Sequence, residues 1–382
     1  MGPTKKKIYT SPIFKRMTNG IIWSFSGTAL AKFLTLIAGI FCARILQKEA
    51  YGEFSIVRST INMFIVLGSA GLGVTSTKYI SEYKKNKKEK IPYIYAITNT
   101  FGIFTAIITA LLIIIGSSFL ASNILQHSDI TSTIRIGAVL LFFSILNGVQ
   151  NGTLTGFEDF RTIAINTLVG NIFQSIFMII GAYFKGINGA TLGFGVGFIV
   201  IFLTTHISIN KIFKTFHLHK IKINKVKTEN FKILYTYSIP AALSALLIAP
   251  SFWLIRSILV RSDGFKELAI FEAADQWKVI ILFIPTSISQ IILPILASLQ
   301  KEKATFITTL KYNLLIVGIT STIIALGIIL FSSNIMYFYG NTYSNSLPLK
   351  ILAISTIFSA LANVLEIATY SIGKMWQCFL IN

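Results

Sequence analysis

The chain has 382 residues, of which 53% are hydrophobic and only 13% charged, with a formal net charge of +20 at pH 7 and a mean hydropathy of +0.71. Soluble domains carry about 25% charged residues, so a water-soluble enzyme or binding module is excluded. The 34 basic residues lie in short blocks between long apolar runs; that pattern excludes nucleic acid, which needs the charge on one folded face, and fits loops lying against an anionic membrane leaflet.

Residues 1–18 are basic, and the apolar segment behind them is too long for a leader's core and has no small-residue cleavage site, so it reads as a first span that stays in place. Ten spans are predicted, at 20–43, 51–77, 93–117, 134–155, 163–184, 187–210, 233–260, 268–297, 306–331 and 347–372. Each reaches the roughly 20 residues that cross a ~30 Å hydrocarbon core. Uninterrupted runs of this length pair their backbone groups as helices, not as the ten-residue alternating strands of a barrel. The expected fold class is all-α, a polytopic membrane helix bundle. The last residues, Gly373-Lys374-Met375-Trp376-Gln377-Cys378-Phe379-Leu380-Ile381-Asn382, read as a turn and the start of another apolar helix.

The connections alternate in charge. Those at 1–18, 78–92, 156–162, 211–232, 298–305 and Lys374 hold 22 Lys and Arg, and the opposite ones hold five: Arg44, Lys48, Lys185, Arg261 and Lys266. The positive-inside rule then puts the N-terminus in the cytoplasm of a multi-pass inner-membrane protein. The longest basic connection, 211–232, divides the chain into a six-span lobe (1–210) and a four-span C-terminal lobe (233–382). Its His217 and His219 lack a Cys or carboxylate partner and read as part of a solvated linker, not a metal site. Cys42 and Cys378 form no disulfide framework. No cofactor is expected.

The stretch Tyr51-Gly52-Glu53-Phe54-Ser55 and the Gly-, Ser- and Thr-rich 68–77 resemble the polysaccharide transporters of the Wzx flippase type, within the MATE-like superfamily. So do Leu268-Ala269-Ile270-Phe271-Glu272-Ala273-Ala274-Asp275-Gln276-Trp277 and Ile284-Pro285-Thr286-Ser287 with Ile292-Leu293-Pro294. The resemblance implies two pseudo-symmetric lobes and alternating access. It implies an undecaprenyl-pyrophosphate-linked oligosaccharide such as an O-antigen repeat unit as substrate, with membrane lipids and a polysaccharide polymerase or chain-length protein as further partners. Such transporters usually have twelve or more spans, so the second lobe is expected to be truncated by its last two helices.

A charge at a helix centre costs about 2.5–3.5 kcal/mol and marks a cavity or pathway by default. Lys32 has nearly equal apolar lengths on either side, which leaves it too deep to snorkel well, and is the leading candidate for a cavity-facing cation. Five of the seven arginines, Arg44, Arg58, Arg135, Arg256 and Arg261, fall near predicted outer span ends, where basic residues are disfavoured. The guanidinium fork suits phosphate oxygens, so an outward-facing vestibule for a pyrophosphate is one reading and headgroup anchoring the other. Asp275 and Lys278, three residues apart, face one side of a helix as coupling candidates. Trp253, Trp277, Phe271 and Tyr79 suit either sugar stacking or an interfacial belt. Pro240, Pro250, Pro285 and Pro294 are expected to kink the seventh and eighth spans. Gly193, Gly195 and Gly197, like Gly68, Gly71 and Gly73, read as close helix packing rather than a phosphate loop.

An enzyme would need an acid, base or metal held in mutual reach. The outer connections offer Asp129, Asp263 and Glu267, with His127 near Asp129, and no large loop to hold an acceptor. A membrane glycosyl or acyl transferase is therefore disfavoured. A drug or cation exporter of the same fold would call for an acidic cavity, against the mostly cationic charges within these spans.

Overall fold

The computed structural model describes residues 12–221, 223, 231, 233–234, 238–298 and 302–372. The expectations for 1–11, for most of the basic connection after Lys220, for Cys378 and for the turn and helix start at 373–382 lie outside the described residues. Those described form helices α1 (Pro12–Ser69), α2 (Leu72–Asn86), α3 (Ile91–Phe119), α4 (Thr131–Gly156), α5 (Phe160–Thr215), α6 (Ile239–Ser298), α7 (Lys303–Leu330), α8 (Ser332–Tyr337) and α9 (Leu347–Ser371).

Three of these helices exceed any bilayer. At about 1.5 Å per residue, the 58 residues of α1 would run about 87 Å if straight. Each instead breaks near its middle, α1 at Gln47, α5 at Lys185–Gly186 and α6 at Gly264. With the arms taken separately, the described residues of the predicted spans fall on helical backbone, most within three residues of the predicted ends, except that the second is interrupted by the turn at Ala70–Gly71. Six of the described helices are long and apolar enough to cross a membrane on length and composition. In α6 the residue outside helical φ/ψ is Gly264, not a proline, and Pro240 is the second residue of the helix, where the missing N–H would have no intrahelical acceptor anyway.

The burial pattern is that of a lipid-immersed protein. Large apolar side chains face outward, with Ile115, Leu330 and Phe184 each more than 75% exposed, while Gln150, Thr153, Thr191, Thr205 and Ser321 are fully buried. Without water, hydroxyls find acceptors on their own helix: Thr98 donates to Ile94 O, Thr153 to Val149 O and Ser321 to Val317 O.

By its contacts the chain divides into two compact units. The first comprises Met1–Ala38 and Ile56–Arg261, where α4 packs against α2, α3 and α5. Glycines permit these close approaches: a Cβ on Gly73 would meet Gly148 O, one on Gly193 the backbone of Phe177 and Met178, one on Gly195 Leu140 and one on Gly197 Gln174. Gly71 differs from the packing role expected of it. It precedes α2 at φ 65°, and its work is to turn the chain between α1 and α2. The second unit comprises Gly39–Ser55 and Ser262–Asn382, with α7 packed against α9.

Candidate functional site

In the first unit, Lys32 lies on α1 with its side chain exposed and no carboxylate partner among the described residues. One turn on, the Thr35 hydroxyl contacts Asn171 Oδ1 at 3.1 Å and the Ala31 carbonyl at 3.0 Å. Residues three apart share a helix face, so Lys32 and the Thr35–Asn171 pair make a polar strip on an otherwise apolar helix. The flanking Leu30 and Phe33 are about half exposed, as lipid-facing residues are.

Several other candidates serve the packing of this unit. The Trp253 indole N–H donates to Thr60 Oγ1 at 2.8 Å with the ring buried. Arg135 donates from Nε to Ser117 Oγ at 2.8 Å and from Nη2 to Ser118 Oγ at 3.3 Å, tying α4 to the end of α3. Arg256 donates to Phe252 O one turn back, and Arg58 is half-buried on α1. At the end carrying the basic connections, the ammonium groups of Lys78, Lys88, Lys90 and Lys220 lie over the rings of Tyr79, Phe216, Tyr83 and Tyr95 at 5.1–5.7 Å. Lys84 donates to Phe157 O at 2.5 Å and pairs with Glu158 at 3.7 Å. Burial pulls the Lys220 ammonium below its ordinary pKa.

The remaining candidates lie in the second unit. Arg44 donates from Nε to Phe338 O at 2.5 Å. It lines a cleft of about 330 Å³ together with Gln47, Tyr337, Tyr339, Asn341 and Thr342. Trp277 Nε1 donates to Tyr339 Oη at 3.2 Å, Tyr339 Oη donates to Gln276 Oε1 at 3.5 Å, and Gln276 Nε2 donates to Tyr51 Oη. Tyr51, Tyr339 and Tyr343 are almost completely buried. Burial, with Tyr51 adding to it, pushes the Tyr343 phenol above its ordinary pKa. Asp275 and Lys278 are half-buried on α6 beside this network. Among the described residues no three His, Cys, Asp or Glu side chains stand close enough to hold a metal.

Sequence reasoning singled out Trp277 and passed over its partners. Gln276, Tyr51 and the buried Glu272 sit inside the very stretches whose resemblance was noted. Their signal was polarity inside a span. The other two members, Tyr339 and Tyr343, come from the segment between α8 and α9, and nothing local joins them to the rest. Glu366, half-buried in α9, is a further charge within a span.

The sequence matches the family described as "Polysaccharide biosynthesis protein" over residues 17–300. It is 23% identical over 360 residues to the "Putative O-antigen transporter" of Shigella flexneri, covering 92% of this chain and 84% of that one. It is 26% identical over 340 residues to the "Capsular polysaccharide biosynthesis protein CapF" of Staphylococcus aureus, covering 87% and 79%. The structure superposes on a multidrug resistance MATE family transporter of the MOP superfamily in an inward-facing conformation, with a TM-score of 0.76 at 16% identity over 94% of this chain and 86% of that one. The two chains share the all-helical MATE-like fold.

Proposed function

Because the chain belongs to the polysaccharide biosynthesis protein family, we propose that it is a polysaccharide exporter that moves an undecaprenyl-pyrophosphate-linked repeat unit, such as an O-antigen unit, across the inner membrane by alternating access. The N-terminus is cytoplasmic in this reading, in keeping with the 22-to-5 asymmetry of basic residues. The lobes are 1–210 and 233–382, joined by the basic connection 211–232, and any polymerase or chain-length protein meets the substrate after release.

The observation that carries the reading is Lys32. An ammonium group at mid-span with no carboxylate beside it is retained at a cost of about 2.5–3.5 kcal/mol, and an anion passing along the strip it shares with Thr35 and Asn171 would offset that cost. Arg44, at the cleft in the second unit, would meet the phosphate where the cargo leaves.

The test is surface polymer in a flippase-null strain, normalised to membrane abundance. Lys32→Ala should reduce export strongly, while Lys32→Arg should keep part of it. Wild-type polymer from Lys32→Ala would overturn the role of Lys32. Glu272, buried in α6, favours a second reading, a cation exporter of the same fold. That reading requires Glu272→Gln to abolish drug resistance while Lys32→Ala leaves it intact.

A further inference from the structure

The two bends of the second unit repeat one another. Gln47 has φ 63°, ψ 172° and Gly264 has φ 80°, ψ 178°. Each bend is followed by a Lys-Glu dipeptide, Lys48-Glu49 after the first and Lys266-Glu267 after the second. The dipeptides pair reciprocally: Lys48 Nζ lies 3.5 Å from Glu267 Oε1, and Lys266 Nζ 3.3 Å from Glu49 Oε2. This is the contact pattern of a two-fold axis, where residue i meets j and j meets i, built here within one chain.

Just beneath the ion pairs the two segments are sealed. A Cβ on Gly52 would fall on the Phe265 carbonyl, and one on Gly39 on the Gln276 amide. The Gln276–Tyr51 hydrogen bond and the Tyr339–Gln276 and Trp277–Tyr339 bonds close the layer. The charges lie at the rim, three of the four carboxylate and ammonium side chains that close it being more than 40% exposed.

We propose that the paired dipeptides are a releasable latch that holds the outer ends of the first two spans against those of the seventh and eighth, and that must open for cargo to leave outward. The inference rests on the transport reading above and on its orientation. Weak pairs suit the task. An exposed ion pair shifts an equilibrium by only about 1.5- to fivefold, so two of them bias the closed state without trapping it, whereas a buried pair would be costly to break.

Ser55 is the reporter. Its hydroxyl is buried without a partner among the described residues, and it lies six residues, or about 9 Å of helix, beyond Glu49. In a background with Cys42→Ala and Cys378→Ser, Ser55→Cys is labelled on intact cells with a membrane-impermeant maleimide, and Asn341→Cys, exposed in the structure, marks the outer side. Lys48→Glu with Lys266→Glu should raise the Ser55→Cys labelling rate roughly two- to 25-fold, the product of two pair effects. Adding Glu49→Lys and Glu267→Lys, which restores both pairs with the charges exchanged, should return it to the starting rate. If the reversed variant does not reach the membrane, Lys48→Gln with Lys266→Gln takes its place with the same expectation in smaller measure. An unchanged rate with Asn341→Cys still labelled from outside overturns the latch and leaves the orientation intact. A rise that the exchanged charges do not reverse also overturns it. Labelling of Asn341→Cys only after permeabilisation overturns the orientation, and with it the outward placement of the latch.

Discussion

Gln47 occupies backbone space that belongs to glycine, and replacing it with glycine should stabilise the protein. At φ 63° and ψ 172° its Cβ is crowded by its own backbone, in a region that costs a non-glycine residue on the order of 1–3 kcal/mol. The matching bend in α6 is at a glycine, Gly264, in almost the same conformation. Against the relief of strain stands one hydrogen bond, from Gln47 Nε2 to Arg44 O at 2.9 Å, on an exposed side chain, worth about 0.5–1 kcal/mol. The extra backbone freedom of glycine in the unfolded chain removes a further ~0.5–1 kcal/mol. Gln47→Gly should therefore centre near 0.5 kcal/mol stabilising, between about 1 kcal/mol destabilising and about 2 kcal/mol stabilising. Gly264→Gln, with no strain to relieve and a Cβ to place, should cost about 1–3 kcal/mol. Thermal unfolding of the purified protein in mild detergent reads both, as an unchanged or raised midpoint for Gln47→Gly and a lowered one for Gly264→Gln. A loss of stability above about 1 kcal/mol in Gln47→Gly would refute the reasoning, because the side-chain hydrogen bond would then outweigh the backbone strain.

Two further outcomes follow from buried groups. Tyr343 is buried with its hydroxyl unpartnered among the described residues, so Tyr343→Phe should be neutral or stabilising by up to about 1–3 kcal/mol. Its phenol pKa is raised in the folded state, so the stability linked to the bound proton is complete below the unfolded value of about 10 and is lost as pH rises beyond it. Alkaline unfolding monitored from pH 9 to 11 should therefore be shallower in Tyr343→Phe, and identical profiles would count against the burial. Gly193→Leu should destabilise by about 1–3 kcal/mol or prevent accumulation in the membrane, because its Cβ would land on the Phe177 and Met178 backbone. Gly116→Ala, in a helix with nothing within 4 Å of the added carbon, should instead stabilise by up to about 1 kcal/mol. Equal melting of the two glycine variants would contradict the packing.

The sequence by itself determined the class of this protein and where most of its helical arms lie. A run of some 20 apolar residues has one way to satisfy its backbone in lipid, and that rule acts locally, so most of the helical arms and their ends were legible from hydropathy. The charge bias of the connections is local too. The close packing at Gly193, Gly195 and Gly197 could be read from composition, since glycine within a span has few other uses. Tertiary structure decided the rest. Gln47 gives no sign of a left-handed bend, because its conformation is imposed by what the two arms of α1 pack against and not by its own preference. Gly71 and Gly73 look alike in sequence, yet one turns the chain and the other meets a neighbouring backbone. Arg135 and Trp253 looked free because their acceptors, Ser117 and Thr60, lie 18 and 193 residues away. The reciprocal pairing of Lys48-Glu49 with Lys266-Glu267 joins dipeptides more than two hundred residues apart, and an ion pair a few ångströms long exists only once the chain has brought both ends to one place.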